Sequence, residues 1–140
     1  MKHKEFFNNM AHKWDDICQH DSAKLKAITE MASISKGDMV LDVGTGTGVM
    51  LPFINEFTGD EGEIVAVDIA DKMLDIAKKK YPFDNVRFVL GDIYDVIFPK
   101  TYFDVIMCYS VFPHFEDKPG VVSHIAGLLK PNGRLVIAHS

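Results

Sequence analysis

The sequence predicts an α/β fold, a doubly wound parallel sheet flanked by helices, on three observations. From residue 39 onward, short β-branched runs alternate with helical patterns, the signature of strands joined by crossover helices. The runs are almost continuously apolar, as strands covered on both faces are. Directly behind the first run, "LDVGTGTGVM" (41–50) sets Gly44, Gly46 and Gly48 two apart, where the chain must turn sharply and can offer bare N–H groups to a ligand.

Taken in order, strands are predicted at "MVLDV" (39–43), "EIVAVD" (63–68), "VRFVLG" (86–91), "FDVIMCY" (103–109) and "RLVIAH" (134–139). Helices between them begin near Thr47, Asp71 and Asp117, the last two being good N-caps, and Pro119 falls in a first turn, where a missing N–H is harmless. "KPNG" (130–133) ends the last helix and turns the chain into the fifth strand. Two helical patterns precede the sheet. Phe7, Met10 or Ala11, Trp14 and Ile17 or Cys18 give one apolar face between about Lys4 and His20, and Leu25, Ile28, Met31 and Ala32 give a second.

At 140 residues and 47% hydrophobic, the chain suffices for one domain with a sizeable core. A net charge of −5, with "KKK" (78–80) as the longest basic run, leaves no electrostatic footprint for nucleic acid. Cys18 and Cys108 fit neither a disulfide framework nor a paired zinc site, so no metal is expected. The polar N-terminus is no signal sequence and no apolar stretch is long enough for a bilayer, so a cytoplasmic, membrane-free protein is expected.

In an open parallel sheet, ligands bind beyond the carboxyl ends of the strands where strand order reverses. The glycine loop, Asp68 at the end of the second strand, Asp92 after the third and "CYSVFPHF" (108–115) after the fourth all fall there. A phosphate-binding loop would continue into Gly-Lys-Ser/Thr, which is absent, and a dinucleotide fingerprint would place Gly or Ala where Val49 stands. Asp42 adds negative charge, which favours a cationic or amino ligand over a pyrophosphate. Asp68 suits a ribose diol, with helix capping as its plain structural alternative; Asp92 suits an adenine contact or a simple turn.

Together these residues resemble the class I S-adenosylmethionine-dependent methyltransferases, a Rossmann-like family. "VLDVGTGTG" (40–48) is similar to the family's first motif and "VAVDIA" (65–70) to its second. "VRFVLGDIYDV" (86–96) is similar to the adenine-binding segment, "YFDVIMCYSVFPHF" (102–115) to the fourth strand and its loop, and "AGLLKPNGRLVIAHS" (126–140) to the fifth unit. The resemblance implies S-adenosylmethionine as cofactor, S-adenosylhomocysteine as product, and methyl transfer to a small-molecule acceptor. It also implies that Gly44, Thr45 and Gly46 admit the methionine portion, that Asp42 acts on its amino group, and that Asp68 holds the ribose. Ile69 and Met73 would line the adenine side, Gly91, Asp92 and Ile93 would read the base, and the backbone at Cys108 and Tyr109 would meet the amino-acid end.

The resemblance divides the single domain (1–140) into an N-terminal helical lid region (1–33), carrying Trp14, and a core (34–140). The family's C-terminal antiparallel hairpin is lacking, so the chain reads as C-terminally truncated, or as self-associating through its edge strand. No catalytic residue is assigned. His114 offers a general base or merely a loop histidine beside Phe112 and Phe115. A nicotinamide-dependent oxidoreductase and a non-catalytic cofactor-binding module are the rival readings.

Overall fold

The computed structural model describes residues 22–109 and 118–138. The predicted helix with Trp14 and Cys18, the segment with Phe112, His114 and Phe115, the proposed cap Asp117 and the terminal His139 and Ser140 lie outside the described residues. The element order is α1 (Ser22–Met31), β1 (Met39–Val43), α2 (Leu51–Thr58), β2 (Glu63–Asp68), α3 (Asp71–Lys80), β3 (Val86–Leu90), β4 (Phe103–Tyr109), α4 (Lys118–Ala126) and β5 (Leu129–Ala138).

The strands form one 5-stranded sheet in the order β3-β2-β1-β4-β5, with every pairing parallel. The chain winds outward from β1 to β3, then crosses back to place β4 against the other side of β1, so strand order reverses between β1 and β4. Side chains alternate across the sheet. Val40, Ile64, Ala66, Val105 and Met107 pack with Leu25, Leu51 and Ile54 on one face. Leu41, Val43, Val65, Val67 and Ile106 pack with Val121 and Ile125 on the other. Each such fully buried Val, Leu, Ile or Met side chain contributes about 1.5–3 kcal/mol over its exposed state.

Five expectations need correction in detail. The central strands are apolar and covered on both faces, but β3 and β5 are edges and only partly buried; Leu90 is 52% exposed. α2 starts at Leu51 rather than near Thr47, because Gly46 (φ 59°) and Gly48 (φ 84°) hold left-handed backbone that no α-helix accommodates. α3 has Ala70 as its N-cap, so Asp71 lies in the first turn instead, where its charge favours the helix dipole. "KPNG" lies inside β5: pairing passes from Phe103↔Leu129 to Val105↔Arg134, and the intervening residues bulge outward with Asn132 at φ 70°. Met31 is 76% exposed, because the buried stripe of α1 runs through Leu25 and Thr29 and on to Ala32. The Thr29 hydroxyl joins that stripe by donating to the Leu25 carbonyl at 2.8 Å.

β5 also anchors α1. Arg134 donates from Nε to the Ala32 carbonyl at 2.6 Å and from Nη2 to the Ser33 carbonyl at 2.7 Å. The guanidinium thus satisfies two acceptors just past the helix end, where basic groups are favoured.

Candidate active site at the strand ends

The loop after β1 turns on glycine. Gly44, Gly46 and Gly48 all have positive φ, at 71°, 59° and 84°. Their N–H groups do not point outward as expected. Gly44 and Thr45 both donate to the Val67 carbonyl, at 2.8 and 2.9 Å, and Gly48 donates to the Thr45 carbonyl at 2.9 Å. Gly46 donates to Asp68 Oδ2 at 2.8 Å. The physical reason is that β2 extends alongside the loop, so the Val67 carbonyl and the Asp68 carboxylate at its end are the nearest acceptors.

What the loop offers instead is space. Among the described residues nothing lies within 4 Å of the position that a Cβ on Gly46 would take. Gly48 serves packing: a Cβ there would sit 2.9 Å from Tyr81 Cδ2 and 3.2 Å from Ala77 Cβ.

Two buried carboxylates flank this shelf. Asp42 is 1% exposed and accepts the Thr45 hydroxyl at 2.8 Å. Burial pushes its pKa from the ordinary 3.8 to about 7; the Thr45 hydrogen bond opposes the rise and the Asp68 charge adds to it. Asp68 is 8% exposed. Its Oδ1 accepts the Ala70 N–H at 2.9 Å while Oδ2 holds Gly46. Burial raises its pKa as well, against the backbone N–H bonds of Ala70, Gly46 and Ile69. Asp68 therefore caps the turn into α3, and its three N–H donors leave part of the carboxylate's acceptor capacity unused. Cys108, 1% exposed, is pushed up to about 12 by burial and then by the Asp42 charge, so it remains a neutral thiol.

Gly91 donates to the Asp68 carbonyl at 2.9 Å, tying the loop after β3 to the same cluster. Asp42, Thr45, Gly46, Asp68 and Gly91 thus form one hydrogen-bonded chain across the ends of β1, β2 and β3. Asp92 Oδ1 accepts the Tyr94 N–H at 2.9 Å, which makes Asp92 a turn residue whose Oδ2 has no partner among the described residues. Ile93 is 3% exposed, and among the described residues nothing accepts from its N–H. Ile69 is half-buried beside Asp68. Met73, 1% exposed, packs with Ala70 and Ile76 and presents no surface. Cys108 and Tyr109 end β4 opposite Ile137 and Ala138.

One contact escaped the sequence reading. His124 of α4 bonds through Nε2 to the Ile93 carbonyl at 3.1 Å, and its ring lies 5.6 Å from that of Tyr94. Helical spacing sets His124 beside the buried Val121 and Ile125 on α4 but does not identify its partner. Among the described residues no His, Cys, Asp and Glu group is arranged to hold a metal ion. No described helix is long and apolar enough to cross a membrane.

A family model described as a methyltransferase domain matches residues 41–137, a span that runs from within β1 to within β5 and contains the glycine loop. The chain is 31% identical over 142 residues to the ubiquinone/menaquinone biosynthesis C-methyltransferase UbiE of Azotobacter vinelandii, covering 95% of this chain and 56% of the relative. The chain thus spans just over half the length of that relative. Among solved structures, the putative methyltransferase in a complex with the Trm112 activator of Haloferax volcanii superposes with a TM-score of 0.80 at 26% identity, over 92% of this chain and 57% of that one. A Haemonchus contortus phosphoethanolamine N-methyltransferase, in complex with phosphomonomethylethanolamine and S-adenosylhomocysteine, shares the fold with a TM-score of 0.83 at 21% identity, over 97% of this chain and 34% of that one. The sheet order, the glycine turn with its acidic neighbours and the match across 41–137 place this chain in the methyltransferase domain family.

Proposed function

We propose that the chain carries the cofactor site of an S-adenosylmethionine-dependent methyltransferase acting on a small-molecule acceptor. The observation that carries the reading is the shelf at Gly46, clear of other side chains among the described residues and hydrogen-bonded to the buried Asp68 at the point where strand order reverses.

The residues fit a sulfonium nucleoside and suit a dinucleotide poorly. A pyrophosphate requires free backbone N–H groups, and those of Gly44, Thr45, Gly46 and Gly48 are already bonded inside the fold. It would also meet the carboxyl groups of Asp42 and Asp68, whereas a cationic ligand is attracted to them. This counts against the nicotinamide alternative independently of Val49. In the proposed complex Asp68 accepts the ribose hydroxyls on its remaining acceptor capacity, and Asp42, joined by Thr45, holds the cationic amino group directly or through water. Gly44, Thr45 and Gly46 underlie the amino-acid tail, Ile69 forms the adenine side with the buried Met73 in the layer beneath, and Gly91, Asp92 and Ile93 carry the base contacts. The ends of Cys108 and Tyr109 close the site beside β1.

When bound, the cofactor supplies an electrophilic methyl on a cationic sulfur and departs as a neutral thioether. What the protein contributes is alignment of acceptor, methyl and sulfur, so no dedicated acid or base is required for the cofactor half. The domain reading remains a lid region (1–33) on a core (34–140), the setting is cytoplasmic, and the exposed edge at β5, where Ile137 is 40% exposed, suits self-association.

Equilibrium binding tests the reading. Isotopically labelled S-adenosylmethionine should bind the chain at one site, be displaced by S-adenosylhomocysteine and be indifferent to NADH. Enhancement of NADH fluorescence with no effect of S-adenosylhomocysteine would reverse the assignment. Methyl transfer from the labelled cofactor to a member of a metabolite panel then separates an enzyme from a binding module.

A further inference from the structure

The peptide unit between Ile93 and Tyr94 is gripped at both ends. Its carbonyl accepts from His124 Nε2 at 3.1 Å, so that nitrogen carries the hydrogen, and its N–H donates to Asp92 Oδ1 at 2.9 Å. The first grip comes from α4, a different element, and the Tyr94 ring rests 5.6 Å from the imidazole at 38°. The turn is further closed by the Asp95 and Val96 N–H groups on the Asp92 carbonyl, at 2.9 and 3.0 Å. This clamp leaves Asp92 Oδ2 as an acceptor and the Ile93 N–H as a donor, neither partnered among the described residues and only one residue apart. An adjacent acceptor and donor match the amino group and ring nitrogen of adenine; hypoxanthine, with an oxo group and a protonated ring nitrogen, presents the reverse pattern.

Resting on the cofactor site proposed above, we propose that His124 is a positioning residue that holds this turn in the register that reads adenine, and so determines the base preference of the site. It touches no ligand itself and acts through the Ile93 carbonyl. Without the imidazole donor the carbonyl is freed, the peptide rotates, and the Asp92 carboxylate that depends on the same peptide loses its aim.

The test is calorimetric titration of the full chain and its variants with S-adenosylhomocysteine and S-inosylhomocysteine. The wild-type chain should prefer the adenosyl compound. His124→Ala and the bulkier His124→Leu should reduce the ratio of the two affinities by about fivefold or more, mainly by weakening the adenosyl compound, since a correctly placed pair of bonds to a base edge carries most of such discrimination. His124→Gln, whose amide nitrogen reaches about as far, should stay within about twofold of wild type. A folded alanine or leucine variant that keeps the wild-type ratio, or weakens both compounds equally, overturns the proposal. Failure of the wild-type chain to bind either compound overturns the site itself, an outcome visible before any variant is made.

Discussion

Asp42 gives the most quantitative handle on the site. It is 1% exposed in the middle of the sheet's carboxyl end, and burial lifts its pKa from 3.8 to about 7. Between those two values the folded chain keeps a proton on Asp42 that the unfolded chain has released. Stability must therefore fall as pH rises through that window and level off above it. With 1.36 kcal/mol for each pKa unit, the loss attributable to this one group is about 4 kcal/mol between pH 4 and pH 8. Asp42→Asn preserves the shape and the acceptor for the Thr45 hydroxyl but cannot ionise. Urea unfolding of both proteins at half-unit pH steps is the assay. Asp68 shifts in the same direction and its charge bears on Asp42, so the difference between the two curves reports Asp42 together with its coupling to Asp68. The variant should gain on the wild type steadily across the window, by several kcal/mol in total. Parallel curves would refute the reasoning, since they would mean that Asp42 ionises in the fold as readily as in water.

Further outcomes follow from the same geometry. Gly48→Ala should destabilise the chain by about 2–4 kcal/mol in urea unfolding, because the new Cβ combines a left-handed backbone with a collision against Tyr81 and Leu51. Gly46→Ala meets no neighbour among the described residues, so the backbone strain of about 1–2 kcal/mol should dominate its effect on stability, while calorimetry should show weakened S-adenosylhomocysteine binding. Asp68→Ala removes the acceptor of the Gly46, Ile69 and Ala70 N–H groups together with the proposed ribose bonds; S-adenosylhomocysteine affinity should fall at least tenfold, about 1.4 kcal/mol, and unchanged affinity in calorimetry would reassign Asp68 to capping alone.

The sheet was legible because its central strands, buried on both faces, leave an unmistakable apolar trace: β1, β2 and β4 fall on their predicted residues. Edges are harder to read, since Leu90 of β3 is as apolar as any core residue yet stands half in solvent. The site's residue types were also legible, as carboxylates and glycines have few other reasons to gather at strand ends. Hydrogen-bond direction was not. Three glycines signal a turn, but only the relative placement of β1 and β2 decides that the Gly44 and Gly46 N–H groups face Val67 and Asp68 rather than a ligand. Likewise "GDIYD" suggests either a turn or a base contact, and the fold assigns one Asp92 oxygen to the turn and leaves the other unpartnered among the described residues. The His124 contact joins α4 to the loop after β3 across 31 residues of sequence, a pairing that no local pattern encodes.

The decisive measurement is a crystal structure of the chain grown with S-adenosylhomocysteine. The ribose hydroxyls are expected on the Asp68 carboxylate, the amino-acid tail over Gly46 and the adenine edge against Asp92 and Ile93. An empty rim, or density for the nucleoside anywhere else on the molecule, would contradict the assignment.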